Sequence, residues 1–274
     1  MPSAMILTSD PQSANQLSEL LGGLSYRVRS VNSLQSAVEW FSMQTFHVFL
    51  VDARYGDKAC LQLLNLTWKY NPLTFAGIFN FAGDVPFRDE ALLVGAMVYT
   101  SNQLLKDLQK DLLRLPSDAS VAVFRILLVE DLDAARDIIC SYIEALGYPD
   151  IRGVSSVDQA LEVLATEEYS CVITDIHMPD KSGIALLKEI RGNADLRHLP
   201  LIILTTYSTP ENLVECLQHG ASGFVAKPPS KAALRTELDK AKRIIYSKQD
   251  PRLCNPADAE RLQDLLSSKY AGLG

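Results

Sequence analysis

The chain has 274 residues, 47% of them apolar and 22% charged, with a formal net charge of −7. That length fits two domains of ordinary size. The acidic balance excludes an overall basic footprint for nucleic acid, and no apolar run reaches the roughly 18–20 residues of a membrane span. The N-terminus has no basic segment ahead of a long apolar stretch, so no secretory signal is expected. Five widely spaced cysteines (Cys60, Cys140, Cys171, Cys216, Cys254) form no CxxC pair. They read as the reduced thiols of a cytoplasmic protein, several of them in the core.

Residues 4–8 predict a first strand, followed by Ser9-Asp10-Pro11 and a helix with Leu17, Leu20 and Leu21 on one face. Gly22-Gly23 ends that helix. A strand over 26–31 precedes a helix capped by Ser33. The run 47–52 is a third strand and ends in a carboxylate, Asp52. A helix carrying Leu61, Leu64 and Trp68 follows, then strands over 74–79 and 96–99 and helices over 87–94 and 101–114. Five strands alternating with five helices imply a parallel sheet with helices on both faces.

Residues 116–123 read as a linker. The same order then begins again, with strands over 124–129, 151–154, 170–174, 201–204 and 223–226. Asp10 maps onto Asp131, Asp52 onto Asp175 and Gly95-Ala96 onto Gly220-Ala221, at separations of 121, 123 and 125. The chain is therefore read as two copies of one fold. The expected boundaries are 1–115, 124–247, and a helical tail over 248–274. An amphipathic stretch at 256–270 carries Leu262, Leu265 and Leu266.

The second copy carries the richer chemistry. The apolar strand 170–174 delivers Asp175 to the carboxyl edge of the sheet, where open α/β sheets bind their ligands. Glu130 and Asp131 stand at the end of the first strand. Three carboxylates converging on one edge repel one another unless a cation sits among them. Hard oxygen ligands without Cys or His suit Mg²⁺. Thr205 ends the fourth strand with a hydroxyl able to donate to an anionic oxygen. Lys227 ends the fifth, with an ammonium able to pair with a carboxylate or a phosphoryl oxygen. A carboxylate nucleophile, a metal, a hydroxyl and a lysine are the parts needed to move a phosphoryl group.

Leu-Val-Glu130-Asp131, Thr-Asp175-Ile-His-Met-Pro179-Asp-Lys-Ser-Gly183, Leu-Thr205 and Phe224-Val-Ala-Lys227-Pro228 resemble the receiver domain of two-component response regulators. The resemblance covers residues 124–245. It implies a flavodoxin-like, doubly wound sheet of strand order 2-1-3-4-5, and it implies the roles of the residues. Asp175 accepts a phosphoryl group from a phosphohistidine. Glu130, Asp131, Asp175 and the backbone carbonyl of His177 hold Mg²⁺. Thr205 and Lys227 bind the phosphoryl oxygens. Phe224 matches the family's switch aromatic, although an aromatic on a strand also reads as plain core. The side chain of His177 reads as a rim residue. With Tyr207 it would crowd the path of attacking water, so slow self-dephosphorylation is expected.

The first copy resembles a degenerate receiver. Asp10 and Asp52 remain, but Ser9 replaces the acidic neighbour, Asn80 falls at the threonine position and Asn102 at the lysine position. Tyr99 fills the aromatic position, and Arg54 stands two residues after Asp52. Fixed positive charge from Arg54 in place of a metal predicts a pseudo-receiver that binds neither Mg²⁺ nor phosphoryl groups well. Its expected use is protein contact, including dimerisation.

The reading that follows is a cytoplasmic response regulator, a phosphoprotein acting through protein contacts. Its expected partners are a histidine kinase or histidine phosphotransfer protein and a downstream protein effector, with neither nucleic acid nor membrane. Two alternatives stand beside it: the tandem receiver portion of a hybrid histidine kinase phosphorelay, and a scaffold whose receiver chemistry is idle. A P-loop hydrolase is excluded by the missing Gly-rich Lys loop.

Overall fold

In the computed structural model, residues 1–100, 103–115, 124–206, 210–254 and 259 are described. The chain divides into two compact units, Met1–Ser117 with Tyr246–Lys248, and Asp118–Ile245 with Gln249–Gly274. The expected linker, 116–123, and most of the expected tail helix lie outside the described residues.

The first unit runs β1 (Ser3–Leu7), α1 (Pro11–Gly23), β2 (Arg27–Val31), α2 (Leu34–Met43), β3 (Val48–Asp52), α3 (Asp57–Tyr70), β4 (Phe75–Asn80), α4 (Arg88–Leu93), β5 (Met97–Thr100) and α5 (Leu104–Leu112). The second runs β6 (Ile126–Val129), α6 (Asp133–Ala145), β7 (Ile151–Val154), α7 (Val157–Thr166), β8 (Cys171–Asp175), α8 (Gly183–Gly192), β9 (Leu201–Thr205), α9 (Pro210–Gln218), β10 (Gly223–Ala226) and α10 (Lys231–Tyr246). Each unit holds a five-stranded sheet, ordered β2-β1-β3-β4-β5 and β7-β6-β8-β9-β10. All pairings are parallel. Both are doubly wound α/β sheets of the expected order. A 3-10 turn at Ala53–Tyr55 was not anticipated; it forms because the Asp52 side chain caps the backbone N–H of Arg54.

The central strands are buried on both faces, as helices on either side of a parallel sheet require. Every residue of β3, β6, β8 and β9 is buried. The edge strands β2 and β7 expose arginines instead. The internal repeat extends to the caps. Ser33 and Ser156 each accept the N–H three residues on, at the starts of α2 and α7. Gly95 and Gly220 both take positive φ, +88° and +86°, in the turn before the fifth strand. Glycine adopts that conformation at little cost. Among the described residues no helix is long and apolar enough to cross a membrane.

Candidate functional site

The strand order places the ends of β6 and β8 side by side, in register through Val129 and Thr174. The residues that follow, Glu130 with Asp131 and Asp175, form a cluster whose carboxylate oxygens lie within 4.8 Å of one another. Glu130 is fully buried and Asp175 nearly so. Lys227 extends β10 by one residue, its N–H bonded to the carbonyl of Thr205 at 2.8 Å. Its Nζ lies 2.6 Å from Glu130 Oε2 and 2.8 Å from Asp175 Oδ2. Of the two partners its sequence position allowed, carboxylate and phosphoryl oxygen, Lys227 takes the carboxylates here.

Burial pushes the Glu130 carboxyl above its ordinary range, against the opposing pull of Lys227. Burial disfavours the Lys227 ammonium, but hydrogen bonds to Asp175 and Glu130 outweigh it and raise the group's pKa. Three carboxylates against one ammonium leave this cluster two negative charges in excess. The other oxygen of Glu130, Oε1, is buried without a hydrogen-bond partner, and an orphaned buried acceptor is costly. An oxygen-only donor set, an excess of two charges and an unfilled buried oxygen together fit a hard divalent cation.

The remaining predicted residues lie on β9, on β10 and just after β8. Thr205, 5% exposed, donates its hydroxyl to the carbonyl of Thr206 at 2.7 Å. Phe224, 2% exposed, lies inward on β10. The side chain of His177 is exposed; Tyr207 lies outside the described residues. Gly183 stood in the sequence only as the last residue of the motif after Asp175, and the structure gives it a packing role. A Cβ there would meet the Asp175 carbonyl oxygen at 2.0 Å, and its N–H donates to Ile176 at 3.0 Å. Only glycine lets α8 close on the end of β8. Also missed was Arg136, whose guanidinium donates to the Glu130 carbonyl at 2.8 Å; a helix arginine six residues on gives no local signal.

The first unit closes the corresponding place from within. Asp52, 1% exposed, accepts from Thr8 Oγ1 at 2.6 Å and from Arg54 Nε at 2.9 and 3.0 Å, one bond to each oxygen. The Arg54 backbone N–H adds a further bond at 3.0 Å. Burial pushes the Asp52 carboxyl up, but Arg54 and Thr8 together outweigh it and hold it below its ordinary range. Asp10 caps α1 through Ser13 and lies 3.7 Å from Arg54. Asn80 bonds within its own loop, to Ala82 and Asp84; Asn102 lies outside the described residues. Tyr99, 4% exposed, donates its hydroxyl to Asp111 at 2.8 Å. Its ring packs where Gly77 has no side chain, since a Cβ there would be 2.9 Å away. Thr8 was missed because its partner is 44 residues away, on the neighbouring strand.

The family model described as "Response regulator receiver domain" matches residues 126–239. The chain is 34% identical over 116 residues to chemotaxis protein CheY-3 of Vibrio cholerae, covering 42% of this chain and 89% of that protein. It is 35% identical over 122 residues to sensory/regulatory protein RpfC of Xanthomonas campestris, covering 44% of this chain and only 17% of that protein. Among solved structures, it resembles the receiver domain of a sensor histidine kinase from Pseudomonas aeruginosa, solved with a magnesium ion coordinated in the active-site cleft. That match has 30% identity, 44% and 98% coverage and a TM-score of 0.41. The matched segment coincides with the unit that carries the Glu130, Asp131, Asp175 and Lys227 cluster, and through it the chain belongs to the response regulator receiver domain family of two-component signalling.

Proposed function

We propose that Asp175 accepts a phosphoryl group from a phosphohistidine in a Mg²⁺-dependent step, and that this switches a protein-interaction surface on the second unit. The single observation that carries the reading is the placement of Lys227 Nζ within bonding distance of both Glu130 and Asp175. A lysine so placed can exchange a carboxylate for a phosphoryl oxygen without crossing the site. Glu130, Asp131, Asp175 and the His177 carbonyl would hold the metal. Magnesium, when bound, supplies charge neutralisation for the crowded oxygens. An oxygen of Asp175 attacks phosphorus. The O–P bond forms, the N–P bond breaks, and the imidazole nitrogen leaves with the bonding pair and takes a proton from water. Lys227 then moves from Glu130 to a phosphoryl oxygen, and the Thr205 hydroxyl exchanges the Thr206 carbonyl for another. Phe224, already inward, repacks as Thr205 moves, and the outer surface of β10 changes with it.

The first unit, on this reading, is an interaction or dimerisation module that is not phosphorylated. What supports it is the saturation of Asp52 by Arg54 and Thr8. A second reading, that the chain is the tandem receiver portion of a longer phosphorelay protein, is favoured by the RpfC match, most of which lies outside the aligned segment.

Incubation with Mg²⁺ and acetyl phosphate followed by intact mass tests both units at once. One added phosphoryl group, lost in Asp175→Ala and retained in Asp52→Ala, is expected. Two groups overturn the reading of the first unit. No group, from acetyl phosphate or from a phosphohistidine partner, leaves the idle scaffold.

A further inference from the structure

Beyond α10 the chain turns back on its own domain. The N–H of Gln249 donates to the carbonyl of Ile244 at 3.0 Å, and the N–H of Leu253 donates to the carbonyl of Ala221 at 2.9 Å. The Ala221–Ser222 peptide already gives its N–H to Leu201 on β9 at 2.8 Å. The N–H and C=O of a trans peptide point in opposite directions. The Ala221 carbonyl therefore faces the open side of β10, which is an edge strand. Open edges are pairing templates that proteins cover, and here residues 249–254 meet that side just ahead of the strand, through the single hydrogen bond from Leu253 to Ala221.

The seat is built from several contacts. The stem of Arg252 lies over Gly220, where a Cβ would meet its Cγ at 2.8 Å. Asp250 accepts from the backbone N–H and Nε of Arg252 at 3.0 and 2.9 Å. Burial raises the Asp250 carboxyl, and Arg252, with a smaller contribution from Arg191, outweighs it. Arg191 in turn donates to the carbonyls of Gly220 and Leu199 at 2.9 and 2.8 Å. Pro251, Leu253 and Cys254 are buried.

We propose that residues 249–254 are a phosphorylation-coupled latch at the upstream end of β10, seated on Gly220 and Ala221 while Asp175 is free and released when Asp175 carries a phosphoryl group. The proposal rests on the reading of Asp175 as acceptor. Strand β10 has four residues, about 13 Å at the usual rise, and is held at both ends. The latch holds it just upstream, through Ala221. Lys227 holds it just downstream, through Glu130 and Asp175. A phosphoryl group that draws Lys227 off Glu130 changes the downstream anchor, and Phe224 lies between the two. A strand this short passes a displacement on to the latch. Coupling between sites is reciprocal, so loosening the latch favours the phosphorylated form.

The test is hydrogen–deuterium exchange by mass spectrometry on the full chain with Mg²⁺, with and without acetyl phosphate, with intact mass read on the same samples. Peptides spanning 249–254 are expected to be protected at rest and to exchange about tenfold faster once phosphorylated, within the usual range of site coupling. Asp175→Ala is expected to show no change. Leu253→Pro, which deletes the donor to the Ala221 carbonyl, is expected to raise the phosphorylated fraction at limiting acetyl phosphate. Absent protection at rest, unchanged protection in protein that carries the group, or an unchanged fraction in Leu253→Pro overturns the latch alone. An intact mass without the added group overturns the acceptor reading, and the latch with it.

Discussion

Asp52 and Asp175 end the third strands of their sheets and are both buried, yet they face different cations. Arg54 comes from two residues away and grips both oxygens of Asp52 with a planar fork, Nε on Oδ1 and Nη2 on Oδ2. Lys227 comes from another strand and divides one ammonium between Asp175 and Glu130. The fork saturates its carboxylate and leaves no lone pair for a newcomer. The point charge can be shared, and therefore reassigned. The neighbouring acids repeat the contrast. Asp10 spends its carboxylate on capping α1. The cap of α6 is Leu132, with no side-chain hydrogen bond, and Asp131 joins the carboxylate cluster instead. The same fold thus makes a closed site or an open one according to where its single strong cation is rooted.

The sharpest way to break the contrast is Lys227→Met. Stripping the cation from two buried carboxylates is expected to destabilise the second unit by about 3–5 kcal/mol, with Mg²⁺ restoring part of the loss. The first unit supplies its own control, because both tryptophans, Trp40 and Trp68, belong to it. Circular dichroism should show an early transition that tryptophan emission does not follow; emission that moves in step would count against independent sites. Gly183→Ala comes next. A methyl group placed on the Asp175 carbonyl is expected to cost about 2–3 kcal/mol and to slow labelling of Asp175 while its carboxylate partners stay intact; unchanged labelling kinetics would show that this close approach does not position the acceptor.

Arg54→Ala acts on the closed site. The guanidinium is half exposed, so solvent screening reduces its worth, and a loss of about 1 kcal/mol in the tryptophan-reported transition is expected. Labelling of the first unit should remain absent, since Asn102 stands at the lysine position after its fifth strand; a second phosphoryl group in this variant would mean that Arg54 alone had kept the site silent. The smallest effect is on pH. The folded Asp52 carboxyl lies below its ordinary value of 3.8. Its stabilisation is therefore complete above the unfolded value and is lost as pH falls through the folded one. Acid titration of tryptophan emission should move to higher pH in Arg54→Ala. A titration that does not move would place the acid sensitivity elsewhere.

The fold was legible because central parallel strands must be apolar throughout, as in Val48–Asp52 and Cys171–Asp175, and because strand ends deliver the carboxylates that follow them. The repeat was legible through Gly95 and Gly220, whose backbone angles few other residues accept. Less could be read where a partner is remote in the chain. Thr8 reaches Asp52 only because β1 and β3 pair, and Ala221 meets Leu253 only because β10 is an edge. Asn80, counted as the threonine position, serves its own loop, since a short amide at a strand end finds nearer backbone partners than a distant carboxylate. Asp10 was likewise read as a site residue before its second demand, the first turn of α1, could be weighed.

Tyr99 behaves as a bolt driven through the first unit. Its ring fills the space that Gly77 leaves on β4, and its hydroxyl is fastened to Asp111 on α5. Burial, and then Asp111, push the phenol well above its ordinary pKa, so it stays a donor across the physiological range. Swinging the ring outward would break the hydrogen bond to the partly buried Asp111 carboxylate and open a void, at a cost of about 1–3 kcal/mol for the bond alone. The outward position is thus populated by no more than roughly one molecule in five, and by far fewer once the void is counted. A domain bolted in this way has a face but no gesture: on the function proposed above, a partner docking on β4, β5 and α5 would meet the same relief whether or not Asp175 carries a phosphoryl group, and would use it as an address rather than a message.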